Sequence, residues 1–552
     1  MSEPCSQMSP EPCLLESEDQ TSYGTISRPA KEGREMMKKS KSNQVLLCCL
    51  ANSALLGSGM SLGFTAVALP YMLMPDSTLP IDQDEASWIA SLASIATPVG
   101  CLLSGHLLDR FGRRTALLVI SAPLILGWLL IGLSPSLIQM YLGRISTGIG
   151  TGLCSIPATV YAAEVADSSI RGWLVTGTSV SIAMGVVIVY TLGALLKSQW
   201  QLVALICAAF PVLTTVLVFF FLPESPVWLV AKNRLEDASH ALMRINRANT
   251  PAQVLQVNEE LQLLEDRARK NTRRSLSLTT TLKALSRPEA WKPLIIMNTF
   301  FFFQQFTGTF VVIFYAVDVV QEAGVKTDPF LVTVLIGLTR LVFTFLAAYL
   351  SKKFGRRPTA ILSGVGMTLS LITLATHLYL LSPTPSVTKL STSNLSDILN
   401  TTDVFNSTAV ETVESVSFLP VTMLLLYILA STIGFLTLPW SMIGEVYPAQ
   451  VRGVASGLTT CTAYGISFLV LKMYPHMKKV LDKHGVFYFF GIMALLGTIF
   501  VVFFLPETEG KTLQEIELQF MNKGARRSIQ QEEEEVALQK SKKATIVKST
   551  MR

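Results

Sequence analysis

Long apolar stretches recur along this 552-residue chain, each reaching the roughly 18 residues that a helix needs to cross about 30 Å of hydrocarbon. Inside lipid the backbone has no water to bond, so such stretches must be helices that satisfy their own amides and carbonyls. Half of the residues are apolar, 15% are charged and the mean hydropathy is +0.45, a composition outside the range of ordinary soluble domains. Twelve spans are expected, near 44–70, 86–107, 115–135, 138–162, 173–196, 200–222, 293–319, 328–350, 358–381, 418–444, 451–473 and 485–505. The expected fold class is therefore all-α integral membrane. The first 43 residues are polar and no small-residue cleavage site follows span one, so a cleavable signal peptide is not expected.

One set of motifs is written twice across these spans. The first copy runs Gly105, Asp109-Arg110-Phe111-Gly112-Arg113-Arg114, then Glu164 with Arg171 seven residues on, then Pro223-Glu224-Ser225-Pro226. The second runs Phe354-Gly355-Arg356-Arg357, then Glu445 with Arg452 seven residues on, then Pro506-Glu507-Thr508-Glu509-Gly510-Lys511. The copies lie 243 residues apart at the glycine, 281 at the glutamate and its arginine, and 283 at the proline. The jump of 38 matches a Ser/Thr/Asn-rich insertion at 382–417. A duplicated half laid over long apolar segments implies two pseudo-symmetric six-helix halves with a solute site between them. Their bounds are read as 44–226 and 291–510, with a linker at 227–290 and tails at 1–43 and 511–552.

Basic residues orient the chain. The segment from Lys232 to Lys292 carries twelve Lys/Arg, and the loops after spans two and eight add Arg110, Arg113, Arg114, Lys352, Lys353, Arg356 and Arg357. The loop after span one has acids (Asp76, Asp82, Asp84, Glu85) and no base, and the long loop after span nine has only Lys389. The positive-inside rule puts both tails and the linker in the cytoplasm. The net charge of +6 reflects this asymmetry, not nucleic-acid binding. Three Asn-x-Ser/Thr sequons, at Asn394, Asn400 and Asn406, fall in the loop that charge places outside, where glycosylation is feasible. No cysteine lies in an external loop, so no disulfide framework is expected.

Residues 1–43 and 521–552 are polar and poor in aromatics and read as disordered. Leu14-Leu15 and Tyr23-Gly24-Thr25-Ile26 resemble endocytic signals for sorting adaptors. They leave two addresses open, the cell membrane and an endolysosomal one. In the linker, Leu235, Ala238, Leu242, Ile245 and then Val254, Val257, Leu261, Leu264 keep helical spacing, which predicts a short helical bundle under the spans.

The duplicated motifs suit a polar network. Gly105 and Gly112 permit a tight turn, while Asp109 is expected to accept from arginine side chains or to cap a helix. Glu164, Arg171, Glu445 and Arg452 sit at poorly solvated span ends and are expected to pair, with the loop arginines Arg113, Arg114, Arg356 and Arg357 as partners. Such a network either latches the cytoplasmic side as the halves rock or only anchors the topology.

At these residues the chain resembles the sugar porters of the major facilitator superfamily, near the facilitative glucose and insect trehalose transporters. The resemblance covers about 44–520. Besides the duplicated motifs it rests on Gly143-Arg144, Gln304-Gln305-x-x-Gly308 and Pro439-Trp440. It implies alternating access between two halves, places Arg144 with the cytoplasmic gate, and makes Gln304 and Gln305 ligands of sugar hydroxyls with Trp440 stacked on the ring. Several family positions differ: asparagines are replaced by Phe310, Arg340 and Ala463, an acid by Thr432, a tryptophan by Tyr464 and a glutamine by Ser179. Ser179 and Arg340 are carried as pocket residues even so. Arg340 lies near the middle of span eight, where a guanidinium costs at least ~2.5 kcal/mol and needs partners. It either binds a polar or anionic solute or is structural, bonded to helix carbonyls or to Asp318. Proton-driven relatives carry an acid in span one where this chain has Thr65, which favours downhill transport. His106 and His377 read as interface residues rather than proton relays.

Three function classes follow. The first is a facilitative carrier of sugars or related polyols that works in the bilayer without cofactor or metal. The second is the same machine for another polar or anionic solute. The third is a transport-like sensor signalling through its tails. An enzyme is not expected, because no nucleophile, metal cluster or carboxylate pair lies within the spans.

Overall fold

A computed structural model describes residues 27–167, 169–247, 250–272, 284–325, 327–381, 418–448, 450–511 and 513–521. The described residues are helical and contain no strand. Every expected span has its helix. The first half is built from Ser27–Met72, Gln83–Phe111, Arg113–Gly132, Leu137–Cys154 with Pro157–Val165, Arg171–Leu196 and Trp200–Phe221. The second contains Pro288–Phe306 with Thr309–Phe314 and Ala316–Glu322, then Pro329–Phe354, Arg356–Leu381, Leu419–Ile433 with Leu438–Val446, and Arg452–Phe504. The last of these unites spans eleven and twelve across a non-helical kink at Asp482.

Spans four, seven and ten are interrupted. Four and ten hold corresponding places in the two halves, so that break is duplicated along with the motifs. Span seven breaks at Gly308, which takes φ +80°; a Cβ there would lie 2.5 Å from the Phe490 ring, so only glycine fits. Within a half, small residues let helices touch where apolar burial gives little net drive in lipid. Gly59 of span one and Gly185 of span five meet so closely that a Cβ on Gly59 would fall 2.1 Å from the Ile182 carbonyl oxygen.

The halves meet along spans two and eleven and along five and eight. The end bearing the two arginine-rich turns is called here the basic end, and the opposite one the far end. Contacts between the halves concentrate towards the far end. Thr65 donates to the Phe314 carbonyl at 2.8 Å, Tyr190 donates to the Ile313 carbonyl at 2.7 Å, and Tyr71 stacks on Phe330 at 5.2 Å. Towards the basic end the halves part. A Cβ on Gly172, Gly444, Gly453 or Gly465 would meet no atom within 4 Å, and Ser179 is exposed.

One boundary differs from expectation. Helix one begins at Ser27, inside the stretch read as a disordered tail. Its polar residues are held there: Ser40 donates to Asn246 Oδ1 at 3.0 Å, and Asn43 donates to the carbonyls of Arg244 (3.0 Å) and Ile245 (2.8 Å). At the start of the second tail, before residues 521–552, lies a helix, Leu513–Phe520, whose Ile516 is buried and whose Phe520 carbonyl accepts from Lys292. The linker forms Pro226–Ala231, Leu235–Asn246 and Pro251–Thr272, and Leu229, Val230, Ala238 and Ala241 make a small core beneath the first half. The sequons at Asn394, Asn400 and Asn406, the leucine and tyrosine signals, and residues 522–552 lie outside the described residues.

Candidate functional site

The basic end is organised by two glutamates. Glu224 accepts from the backbone N–H groups of Arg113 (2.7 Å) and Arg114 (3.1 Å), satisfying amides that open span three. Gly112 takes φ +93° just before them, and a Cβ there would sit 2.4 Å from the Glu224 carboxylate. Glu507 does the same for Arg356 (2.9 Å) and Arg357 (3.0 Å), beside Gly355 at φ +94°. The motif glycine and the motif glutamate, more than a hundred residues apart in each half, are thus two sides of one fit.

The side chains close the network. Arg113 binds both oxygens of Glu164, at 2.8 and 2.6 Å, and Ser225 donates to the same carboxylate. Arg356 binds Glu445 at 2.8 and 3.3 Å, Thr508 donates to Glu445 at 2.6 Å, and Arg356 also pairs with Glu509. Arg114 and Arg357 reach the carbonyls of Phe219 and Val502.

Three gate expectations need correction. Among the described residues Arg171 and Arg452 pair with no acid; each donates to a carbonyl five residues earlier, Ala166 and Tyr447, and so closes its own turn. Asp109 is exposed and its carboxylate accepts from no described residue; its backbone carbonyl accepts from Trp228 at 3.2 Å. Arg144 is not at the basic end, because twenty residues of span four, about 30 Å of helix, separate it from Glu164. It is fully buried and donates to the carbonyls of Ile89 (3.0 Å) and Ser61 (3.1 Å), pinning spans one, two and four together. Among the described residues, each of these bonds stays within its own half.

In the interior, the broken helices satisfy one another. Gln304 of span seven donates both amide hydrogens to the break in span ten, to the carbonyls of Phe435 (2.7 Å) and Leu436 (3.0 Å). Tyr427 of span ten donates to the Thr307 carbonyl at the break in span seven (2.8 Å). Gln304 is therefore engaged by the protein itself, with its oxygen accepting from Gln305 at 3.4 Å. Gln305 keeps a buried Oε1 with no partner. Trp440 is half-buried, edge-on to Phe301 at 4.8 Å and 5.5 Å from Tyr464. Ser179, exposed on span five, makes no hydrogen bond to a described residue.

Arg340 behaves unlike Arg144. It is 8% exposed, its guanidinium donates to no described residue, and its Nη1 is buried without a partner. Asp318, the acid suggested for it, is held instead by Lys478 at 2.8 and 2.9 Å. Sequence reading also missed Tyr427 and a bridge between the halves at the far end. There Lys472 binds Asp84 at 3.0 Å and Ser87 at 2.7 Å and lies 4.2 Å over the Trp88 ring. The available signals were a tyrosine inside an apolar span, which needs a partner for its hydroxyl, and a lysine facing a loop that carries only acids.

Two six-helix bundles with interrupted helices, closed together at one end and parted at the other, define an integral membrane protein of the major facilitator fold. The chain belongs to the sugar (and other) transporter family, whose model matches residues 35–520. It is 30% identical over 486 residues to the facilitated trehalose transporter Tret1 of Drosophila mojavensis, covering 88% of this chain and 52% of that one. Tret1 of Apis mellifera ligustica is 27% identical over 517 residues, covering 92% of this chain and 96% of the relative. The chain thus spans about half the length of the fly relative and nearly all of the bee one. Among solved structures, the proton:xylose symporter XylE bound to 6-bromo-6-deoxy-D-glucose superposes with a TM-score of 0.64 at 23% identity, over 87% of this chain and 100% of that one. A partially occluded inward-open form of XylE from E. coli also reaches 0.64, at 22% identity over 86% and 100%.

Proposed function

We propose that the chain is a facilitative carrier that moves sugars or related polyols by rocking its two halves around a mid-membrane site. The observation that carries this is the pair of broken helices in the second half. Gln305, whose buried oxygen has no partner, and the half-buried Trp440 lie at their interruptions, and Trp440 borders the space between the halves. An amide suits a polyol because it donates and accepts at once, and an indole face suits the apolar face of a sugar ring. Ser179 reaches the same space from the first half. Gln304 acts as the support that holds the span-ten break, not as a direct ligand.

The basic end is the cytoplasmic one on this reading, because the arginine-rich turns and the linker lie there. The chain as described then faces inward, and glycans on Asn394, Asn400 and Asn406 stay outside. Thr65 donates its hydroxyl to Phe314, and no carboxylate stands near it in span one, which favours downhill movement over proton coupling. The leucine signal at Leu14-Leu15 assigns the protein to membranes served by sorting adaptors, at the cell surface or on endolysosomes.

Purified full-length chain in liposomes tests the proposal. Labelled trehalose or glucose should enter saturably, reach equilibrium without accumulating, and be indifferent to an imposed pH gradient. No uptake of either sugar overturns carriage of neutral sugars, and uphill accumulation driven by the gradient overturns the downhill mechanism.

A further inference from the structure

Two arginines lie deep within the spans among the described residues. Each has one buried nitrogen lacking a partner, Arg144 Nη2 and Arg340 Nη1, but only the first has carbonyl partners for the rest of its guanidinium. Arg144 is bonded to the Ile89 and Ser61 carbonyls, the usual way of housing a structural guanidinium in a low-dielectric interior. Arg340 receives no such arrangement. It lies eleven residues into Pro329–Phe354, about 17 Å along the helix. One turn nearer the far end, Gly337 of the same face packs on Tyr190 and Val187 of the other half, at 3.1 and 3.3 Å from an added Cβ. Arg340 therefore stands one turn below the layer where the halves close.

Among the described residues no counter-charge answers it. Spans one, six and twelve carry no charged residue between 44–70, 200–221 and 485–504. Asp318 and Glu322 are both bound by Lys478, and Glu322 also by Lys483. Glu164 and Glu445 are held at the basic end by Arg113 and Arg356. The Tyr190 hydroxyl, the polar group facing Arg340 across the interface, gives its proton to Ile313. An unpaired cation kept at mid-span is costly, and an anion arriving with the cargo removes that cost.

We infer that Arg340 is the cation of a carboxylate-binding subsite between the halves, so that the preferred cargo is an acidic sugar such as a hexuronate. This rests on the carrier reading above and narrows its substrate class. A monoanion is favoured because one unpaired guanidinium is present, and its planar fork matches the two oxygens of a carboxylate. The free Gln305 oxygen and Trp440 remain to take the hydroxyls and ring.

The test measures direct binding of D-glucuronate, D-glucose and glucose 6-phosphate to the purified full chain, with flux measured separately in liposomes. The wild-type chain should bind glucuronate at least about tenfold more tightly than glucose. Arg340→Gln should erase that preference while leaving the melting temperature unchanged or raised, since it removes a buried unpaired charge. Arg340→Lys, which keeps the charge and loses the fork, should fall between the two, and it carries the test if the glutamine variant does not fold. Equal or tighter binding of glucose overturns the inference, as does tighter binding of the phosphate dianion. A fall in melting temperature with no change in preference assigns Arg340 a structural role and also overturns it. Flux of neutral sugars alone leaves the carrier reading standing and sinks this one. Arg340-dependent glucuronate binding without any flux does the reverse.

Discussion

Gln304 and Gln305 are neighbours of identical chemistry with different tasks. A helix turns about 100° per residue, so one amide faces the break in span ten and the other keeps its oxygen free. Resemblance alone placed both among the sugar ligands, and composition has no means of telling them apart. Gln304→Ala leaves the Phe435 and Leu436 carbonyls without their donor, and a loss of about 2–4 kcal/mol in unfolding free energy is expected. Gln305→Ala removes an oxygen without a partner and one long 3.4 Å bond to Gln304; stability should fall by less than in Gln304→Ala while sugar affinity falls. Thermal melts beside binding isotherms check both, and the opposite pattern would reverse the assignment. The same distinction separates Arg144, whose partners are carbonyls no motif specifies, from Arg340.

Turns are where the duplicated motifs became interpretable. The glycines, glutamates and arginines were all visible in the sequence, and the pairing of Arg113 with Glu164 and Arg356 with Glu445 followed from charge. What was not legible was that Gly112 and Gly355 make room for the carboxylates of Glu224 and Glu507, since each pair is brought together only when six helices have packed. Gly112→Ala should destabilise through both its positive φ and the clash at 2.4 Å. Glu224→Ala should cost about 0.5–2 kcal/mol as a lost cap. Combined, the two should cost less than their sum, because removing the carboxylate relieves the clash. Strict additivity in a double-mutant cycle would show that the two residues do not meet. The helical linker was legible from its periodicity. The helical stretch before residue 44 was not, because Ser40 and Asn43 in it are held by Asn246 and the Arg244 and Ile245 carbonyls some two hundred residues away.

The two halves, taken together, are held mainly at the far end, where Lys472 joins span eleven to Asp84, Ser87 and Trp88 of span two. A bridge between residues 388 apart in sequence forms only in the state closed on that side, so it should weight the balance between states. Lys472→Met is expected to favour opening there. A cysteine at Thr333, buried in the closed interface on the face shared with Gly337, should then label several-fold faster with an impermeant thiol reagent. Exchanging the pair, as Asp84→Lys with Lys472→Asp, should restore slow labelling. Unchanged labelling in the single variant would mean that the bridge is incidental to the balance.

Span number, duplication and the separation of basic from acidic loops are properties of the linear chain, because they arise from local hydrophobicity and from charge counted segment by segment. Which arginine finds a partner, which glutamine stays free and which end of the interface is shut depend on contacts between segments hundreds of residues apart. Those were decided by packing alone, since a buried polar group is satisfied or stranded by whichever neighbours the folded halves bring to it.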